Sequence, residues 1–430
     1  MTEKTSSKPS PLMGFIYHLH PRTVPEYTLR FTLSFGLGGM AATLCFILFL
    51  TGILQLLSYS ADTATAYQSI IDMYAGSSPA GFVRNIHHWS GNLLVIVVVL
   101  HLLRVFLTGA IDKKRRFNWL IGIGLLLLIL FGNFTGYLLP WDQLAYWAVT
   151  IFTNMIDYIP LIGPWLSQLL RGGGEVGPAT LSNFFAIHIG LIPALLVILL
   201  VYHFWMIRKA GGLIHPTDSD RSRIKTVPGL ISKEAAVGLG LTALVFLFSA
   251  LVEAPLAEMA NPGESPNPAK AAWYFMGLQE LLLHFHPTFA ISIIPFLMLV
   301  LLALIPFFPD TALSPGVWCG GRQGRLRAAI SFVTGLLVTF PVVFFDEKLL
   351  RAGQSQATES SLTWLNRGVI PLLVITLLYY ATYLLLRKKK NYLRSECFMT
   401  LLLFSLGIIC GLTLIGIWFR GSGMTLGFYF

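Results

Sequence analysis

The sequence predicts an all-α, polytopic membrane protein of about nine transmembrane helices, the first four forming a bundle that carries paired histidines. Three observations predict it. Of 430 residues, 55% are hydrophobic and only 12% are charged, about half the charged share of a soluble globular chain. The apolar residues gather into runs that each approach the roughly 20 residues needed to cross a bilayer. Within two of these runs sit His87 with His101, 14 residues apart, and His188 with His203, 15 residues apart.

Taken in order, the apolar runs place helices at 31–57, 83–107, 118–139, 184–207, 233–253, 289–308, 326–345, 368–386 and 397–419. Residues 1–30 begin with a polar stretch and show no apolar signal core, so they read as an inner-side segment without a cleaved targeting peptide. The formal charge of +10 is carried in loops on one side: Lys113 to Arg116, Arg208 to Lys233, Arg322 with Arg325 and Arg327, and Arg387 to Lys390. Basic loops on one face are a topology signal, and nothing in the pattern asks for nucleic acid. The positive-inside rule puts the N-terminus and these loops inside and the C-terminus outside. Two long outer loops, 140–183 and 254–288, are rich in Pro, Gly and aromatics, as functional loops tend to be. The stretch 211–232 holds Gly211-Gly212, His215-Pro216 and Pro228-Gly229 and reads as an inner-side linker. It separates a four-helix bundle (31–210) from a second half with an outer loop (233–325) and from additional C-terminal helices (326–430).

A separation of 14 or 15 residues is close to four helical turns, so each histidine pair shares a helix face with about 21–22 Å between its members. The two helices run in parallel, which pairs His87 with His188 on the outer side and His101 with His203 on the inner side. Intramembrane ionisable residues in matched register imply ligands, and four histidines in this arrangement imply two stacked bis-histidine haems. Six-coordinate iron has no open position, so the chemistry expected is electron transfer. The four cysteines, Cys45, Cys319, Cys397 and Cys410, form no C-x-x-C or C-x-x-C-H motif, so neither a covalent c-type haem nor an iron–sulfur cluster is expected in this chain.

Gly38 and Gly52 on the first helix repeat at the same 14-residue interval, as do Gly122 and Gly136 on the third. Small residues at haem level let a macrocycle edge approach the backbone. Arg84 and Arg104 flank the two histidines of the second helix, and a buried arginine needs an anionic partner, for which haem propionates are candidates. An interfacial anchoring role for Arg84 stands beside that reading.

These residues resemble cytochrome b, the membrane subunit of quinol:cytochrome c (or plastocyanin) oxidoreductases, over most of 25–310. Gly136-Tyr-Leu-Leu-Pro-Trp-Asp-Gln-Leu-Ala-Tyr-Trp-Ala-Val149 is similar to the family's segment leading into its first outer quinol loop, and the 14/15 spacing is similar to the plastoquinol branch. That branch is split into two polypeptides, whereas this chain joins both halves and adds helices. The resemblance implies two noncovalent b haems, quinol oxidation at the outer face, electron transfer across the two haems to quinone at the inner face, and proton translocation, the Q cycle. It also implies a Rieske iron–sulfur protein and a c-type cytochrome or equivalent acceptor as partners, a homodimeric complex, and residence in an energy-transducing membrane, here expected to be a prokaryotic inner membrane.

Two departures stand out. The family's outer site carries Pro-Glu-Trp-Tyr, but the aligned residues are Ala271-Ala272-Trp273-Tyr274. Quinol oxidation in a dry pocket needs a base, and Glu280, eight residues beyond Ala272, is the candidate substitute, with His284 and His286 as further relays. Tyr146, Trp273 and Tyr274 are the candidate quinol-site residues, drawn from an aromatic set that includes Tyr137, Trp141, Trp147 and Phe275. The plastoquinol branch attaches a third haem through a cysteine whose aligned position here is Gly36, so a covalent third haem is not expected. The sequence leaves room for a noncovalent one near Arg208. Competing readings are a b-type quinone-reactive anchor of a dehydrogenase and, from another class, a transporter.

Overall fold

The computed structural model describes residues 21–428 apart from 77, 217–218, 220–221, 309, 311–312, 351–360 and 389–391, together with Gly14 and Tyr17. Most of the expected N-terminal segment and Lys389 and Lys390 of the basic run lie outside the described residues. Among those described, nine helices are long and apolar enough to cross a membrane, and the all-α class holds apart from one two-stranded ribbon.

In chain order the elements are β1 (Thr23–Pro25), α1 (Leu37–Gln55), α2 (Ala66–Met73), α3 (Ala80–Leu107), α4 (Arg116–Leu138), α5 (Gln143–Ile156), α6 (Gly163–Arg171) and α7 (Pro178–Lys209). There follow β2 (Arg223–Lys225), α8 (Thr226–Leu251), α9 (Met276–His284), α10 (Thr288–Phe307), α11 (Arg322–Lys348), α12 (Leu365–Lys388) and α13 (Arg394–Trp418). The spans are α1, α3, α4, α7, α8 and α10 to α13. The first starts later than the sequence suggests. A short helical turn at Phe31–Ser34 is broken by Phe35 and Gly36, both left-handed, before α1 begins. At Gly36 a Cβ would lie 2.9 Å from the Val237 side chain of α8, so the break also lets that side chain pack directly on the backbone.

Four spans contain π-helical residues: α11 ends in one such turn at Asp346–Leu350, and the other three lie at Ile187–Leu191, Thr288–Ile293 and Leu365–Val369. Each of those three is followed two residues later by a proline: Pro193, Pro295 and Pro371. Proline has no N–H to give the carbonyl four residues back and its ring crowds that carbonyl, so the ladder widens to i→i+5 just before it.

The loops sort to two ends. At one end β1 pairs antiparallel with β2, Thr23 opposite Lys225, Arg115 Nη2 donates to the carbonyls of Ala210 and Gly212, and Gly316 N–H donates to Thr108 O. These are the basic loops. At the other end Gln143 N–H donates to Glu258 O at 2.7 Å and Asp142 forms an isolated bridge with Met259, which joins the two long loops.

Helices α1, α3, α4 and α7 form the first bundle, and α8 lies along α1 and α3. Lipid supplies no hydrophobic drive between helices, so close packing relies on small residues. The tightest pair is α11 with α13. A Cβ on Gly335 would lie 2.1 Å from Phe404 O, and one on Gly407 would lie 2.2 Å from Phe332 O, with Gly411 against Thr339 one turn on. Helix α12 is at the perimeter: it buries Gly368 near its start but no residue from Ile370 on, and it is tied to α13 by Tyr379 Oη with Ser405 Oγ at 2.8 Å.

Gly407→Val therefore forces α11 and α13 apart and is expected to lower stability by about 1–3 kcal/mol. Thermal unfolding in detergent should show the loss, while Gly240→Ala on α8, where a Cβ meets nothing within 4 Å, leaves the midpoint unchanged.

Candidate functional site

The four histidines meet in the pairs their spacing implies. His87 of α3 and His188 of α7 have ring centroids 6.1 Å apart, and His101 and His203 of the same two helices are 6.5 Å apart. Two imidazole–metal bonds of about 2 Å separate the nitrogens by about 4 Å, and adding the rings' own half-widths gives roughly 6 Å between centroids. Both pairs fit one iron between them.

The unequal spacing also has an explanation. Fifteen residues of regular α-helix overshoot four turns by roughly 60°, and fourteen fall short by roughly 40°. The π turn that contains His188 absorbs one residue, which returns the second pair to the register of the first.

Each of the four glycines faces one histidine. A Cβ would lie 3.2 Å from His101 Cε1 at Gly38, 3.3 Å from His87 Cε1 at Gly52, 3.9 Å from His203 Cε1 at Gly122 and 2.6 Å from His188 Cε1 at Gly136. The expectation was clearance for a macrocycle edge; the atom cleared here is the imidazole itself. Helices α1 and α4 press on the rings from the side and fix their planes.

At the level of His87 and His188, the outer one in the expected topology, the second ring nitrogen is engaged. Thr51 Oγ1 donates to Ile47 O at 2.7 Å and lies 2.9 Å from His87 Nδ1, so it accepts that N–H. His188 Nδ1 lies 3.0 Å from Gly132 O and 3.2 Å from Thr135 Oγ1. Both Nδ1 atoms are thus held as donors and Nε2 keeps the free lone pair, the tautomer a metal requires. Sequence reasoning missed both threonines, although each directly precedes its glycine, as Thr51-Gly52 and Thr135-Gly136. At the inner level the preceding residues are Leu37 and Ile121, and Nδ1 of His101 and of His203 is buried without a partner. Arg104 gives its Nε to Leu33 O at 3.0 Å and keeps Nη2 buried and unpartnered, the kind of donor that suits a buried anionic group.

A cavity of about 1440 Å³ opens at the outer level, more than the 300–1,000 Å³ usual for a single small ligand. His87, His188, Gly52 and Gly136 line it together with Tyr137, Asp142, Ala272, Trp273 and Tyr274. Trp273 is anchored by Nε1 donating to Asn92 Oδ1 at 2.6 Å. Arg84 is buried and spends its guanidinium on Tyr74 Oη, Ala254 O and Pro255 O at 2.7–2.9 Å. It ties the second outer loop to α3.

The family model described as cytochrome b/b6/petB matches residues 25–211. The cytochrome b6 of Cyanidium caldarium is 40% identical over 174 residues, covering 40% of this chain and 81% of that protein. That of Mastigocladus laminosus is 39% identical over 175 residues, covering 41% and 81%. The chain belongs to the cytochrome b/b6 family. A solved structure titled hyperthermophilic respiratory Complex III is 19% identical with a TM-score of 0.62, covering 89% of this chain and 91% of that one, so the shared fold continues past the matched half. This cytochrome b is accordingly an integral membrane, haem b-binding electron-transport subunit.

Not every candidate residue of this cytochrome b reaches the cavity. Trp273 and Tyr274 do. Tyr146 does not line it: the residue sits one turn into α5, packed edge-on between Trp141 and Trp147 with centroids at 5.5 and 5.6 Å. Arg208 is exposed at the inner end of α7. Glu280 also does not line the cavity; it is fully buried on α9 and faces α13. There Arg420 holds it through Nε and Nη2, Nε to Oε2 at 3.0 Å, and gives Nη1 to Glu347 at 2.5 Å. His284 lies 3.2 Å from Glu280 and 2.6 Å from Asp346, and His286 packs on Tyr158 and Phe289. A carboxylate in two ion pairs is a structural tie, and the eight-residue helical offset from Ala272 failed as a guide because the chain enters α9 through a 3-10 turn at Trp273–Phe275.

Burial alone pushes the Glu280 carboxyl up, but hydrogen bonds from His284 and Arg420 and their charges outweigh it and hold the carboxyl below its ordinary value. His284 is pushed down by burial and, on balance, raised by Asp346 and Glu280. Glu280 thus contributes stability above about pH 4.3, lost as pH falls through its lowered value; His284 contributes below about pH 6.5, lost as pH rises through its raised value. The unfolding midpoint should be highest at mildly acidic pH and decline on the alkaline side, a decline that His284→Gln flattens. Glu280→Gln leaves Arg420 buried with less charge to meet it and is expected to cost about 3–5 kcal/mol, read as thermal unfolding with haem content retained below the transition.

Proposed function

We propose that this cytochrome b oxidises quinol at its outer cavity and carries electrons through two b haems to reduce quinone near the inner face, coupled to proton translocation. The observation that carries the reading is the stacking of two bis-imidazole pairs at two depths of one bundle, with an aromatic-walled cavity at the level of His87 and His188. Each bound haem would supply a reversible one-electron carrier held by His87 with His188 or by His101 with His203. The basic loops face the cytoplasmic side, which makes the cavity end the outer one. The partners are a Rieske-type iron–sulfur protein and a c-type cytochrome or equivalent acceptor, because no motif for either centre is present in this sequence, within a homodimeric complex. The chain joins in one polypeptide the two halves that are separate in the plastoquinol branch.

The chain's own residues give the path a direction. Thr51 and the Gly132 carbonyl accept from the outer imidazoles and make them more electron-rich, which favours oxidised iron there. The inner imidazoles lack such partners. Electrons therefore run downhill from the outer level to the inner, while Arg104 offers its free guanidinium N–H to a propionate and Trp273 and Tyr274 wall the flat quinol ring.

Pyridine haemochrome analysis should give two b haems per chain, and redox titration should resolve two b components, the outer one lower. Thr51→Val removes one hydrogen bond worth about 1 kcal/mol and is expected to raise the lower potential by on the order of tens of mV without moving the upper one. Gly136→Val should leave one haem per chain. One haem, or a shift of the higher component in Thr51→Val, contradicts the assignment.

A further inference from the structure

We propose that Asp142 is the residue that takes a proton from quinol in the outer cavity. The inference rests on the quinol reading and extends it to a named base. Among the described residues that line the cavity, Asp142 is the only carboxylate; the remaining wall is aliphatic, aromatic, amide, imidazole and the guanidinium of Arg84. The two outer-level histidines are committed through Nδ1 to the helix backbone and Thr51, and Glu280 is sealed away against Arg420. A quinol hydroxyl that loses an electron becomes a strong acid, and an apolar pocket offers no water to receive its proton, so a base on the wall is required.

Asp142 is built to stay in place while it does this. It is 8% exposed and sits just before α5, where Oδ1 accepts the Ala145 N–H at 2.8 Å and caps that helix. Oδ2 accepts the Ala257 N–H at 3.1 Å from the opposite loop. Backbone N–H groups of Ala145, Ala257 and Leu144 take three of the roughly four acceptor positions of the carboxylate, which leaves a lone pair for a substrate proton. The charged and titratable groups near it are Arg84 on α3 and Tyr137 on α4. Burial pushes its carboxyl up, more than the Ala145, Ala257 and Leu144 hydrogen bonds and the Arg84 charge pull it down, so it is a stronger base than an exposed aspartate. The adjoining residues Glu258 and Met259 are exposed at the outer end, which gives the proton a short way out.

The balance closes within the complex proposed above. Quinol loses two electrons, one to the iron–sulfur partner and one to the outer b haem, and becomes quinone. One proton leaves with the electron taken by the iron–sulfur protein. The other O–H bond breaks onto Asp142, its electron pair staying on the substrate oxygen, and the protonated carboxyl later releases the proton to outer water.

The test uses the purified complex and follows b-haem reduction by a short-chain benzoquinol across a pH series, with the inner exit blocked. In the native complex the rate falls on acidification as Asp142 becomes protonated. Asp142→Asn keeps an oxygen for the Ala145 cap and is expected to slow reduction about 10²–10³-fold and to abolish the acid limb, with haem content and both potentials unchanged. Asp142→Glu restores a carboxylate and should recover part of the rate with its acid limb displaced. A haem-replete Asp142→Asn complex whose rate stays within twofold of native, or whose acid limb persists, overturns the inference alone. If Asp142→Asn fails to retain haem, Asp142→Glu decides: an unmoved acid limb overturns it, and a displaced one supports it. A native complex with both haems that oxidises neither benzoquinol nor naphthoquinol overturns the functional reading and this inference with it.

Discussion

The bundle depends on the contact between a glycine of one helix and an imidazole of its neighbour, made four times. A histidine on a membrane helix has many rotamers and a cavity to fall into, so a ligand pair held to within a few tenths of an ångström needs walls. Helices α1 and α4 provide them because their backbones, bare of Cβ at Gly38, Gly52, Gly122 and Gly136, come within van der Waals contact of Cε1. The clearances are not equal. At Gly136 a methyl group would sit 2.6 Å from His188, whereas at Gly122 it would sit 3.9 Å from His203, so α4 clamps the outer ring more tightly than the inner, while α1 holds both about equally, at 3.3 and 3.2 Å. The hydrogen bonding follows the same order, with both outer Nδ1 atoms held and both inner ones free of partners. The tighter α4 clamp and the electronic tuning thus lie at one depth of the bilayer.

Much of this was legible in the sequence because membrane helices are regular and depth is proportional to residue number. The 14-residue recurrence of histidine and glycine could be read as geometry directly: the histidines lie opposite one another as read, while the glycines, read as clearing a macrocycle edge, lie against the imidazoles. The one-residue excess between His188 and His203 was legible only as an oddity; its cause, the widened turn ahead of Pro193, needed the backbone. The Thr-Gly dipeptides at 51–52 and 135–136 were visible and went unread, since a threonine beside a glycine says nothing until a histidine is known to lie across from it.

The outer loops were far less legible. Which face Glu280 and Tyr146 present depends on how irregular chain enters α9 and α5, and periodicity carries no information through a 3-10 turn or a loop. Glu280 also met a partner, Arg420, that no local pattern could supply, because the two are 140 residues apart. Asp142 was passed over for a related reason. Inside Pro140-Trp141-Asp142-Gln143 it reads as a helix cap, and it is one; that the same carboxyl borders the cavity follows from the opposite loop, whose Ala257 N–H reaches its second oxygen.

The Glu280–Arg420 tie imposes an order on biosynthesis. Helix α9 carries a buried carboxylate whose guanidinium partner is not made until the ribosome has passed α13, so during insertion His284, one turn on, is the countercharge at hand for the second outer loop's acid. That loop stays unfinished, and open to proteases or to assembly factors, until α13 has crossed the membrane and delivered Arg420 to the far side. Completion of α13 is then what supplies the second half of the Glu280 tie.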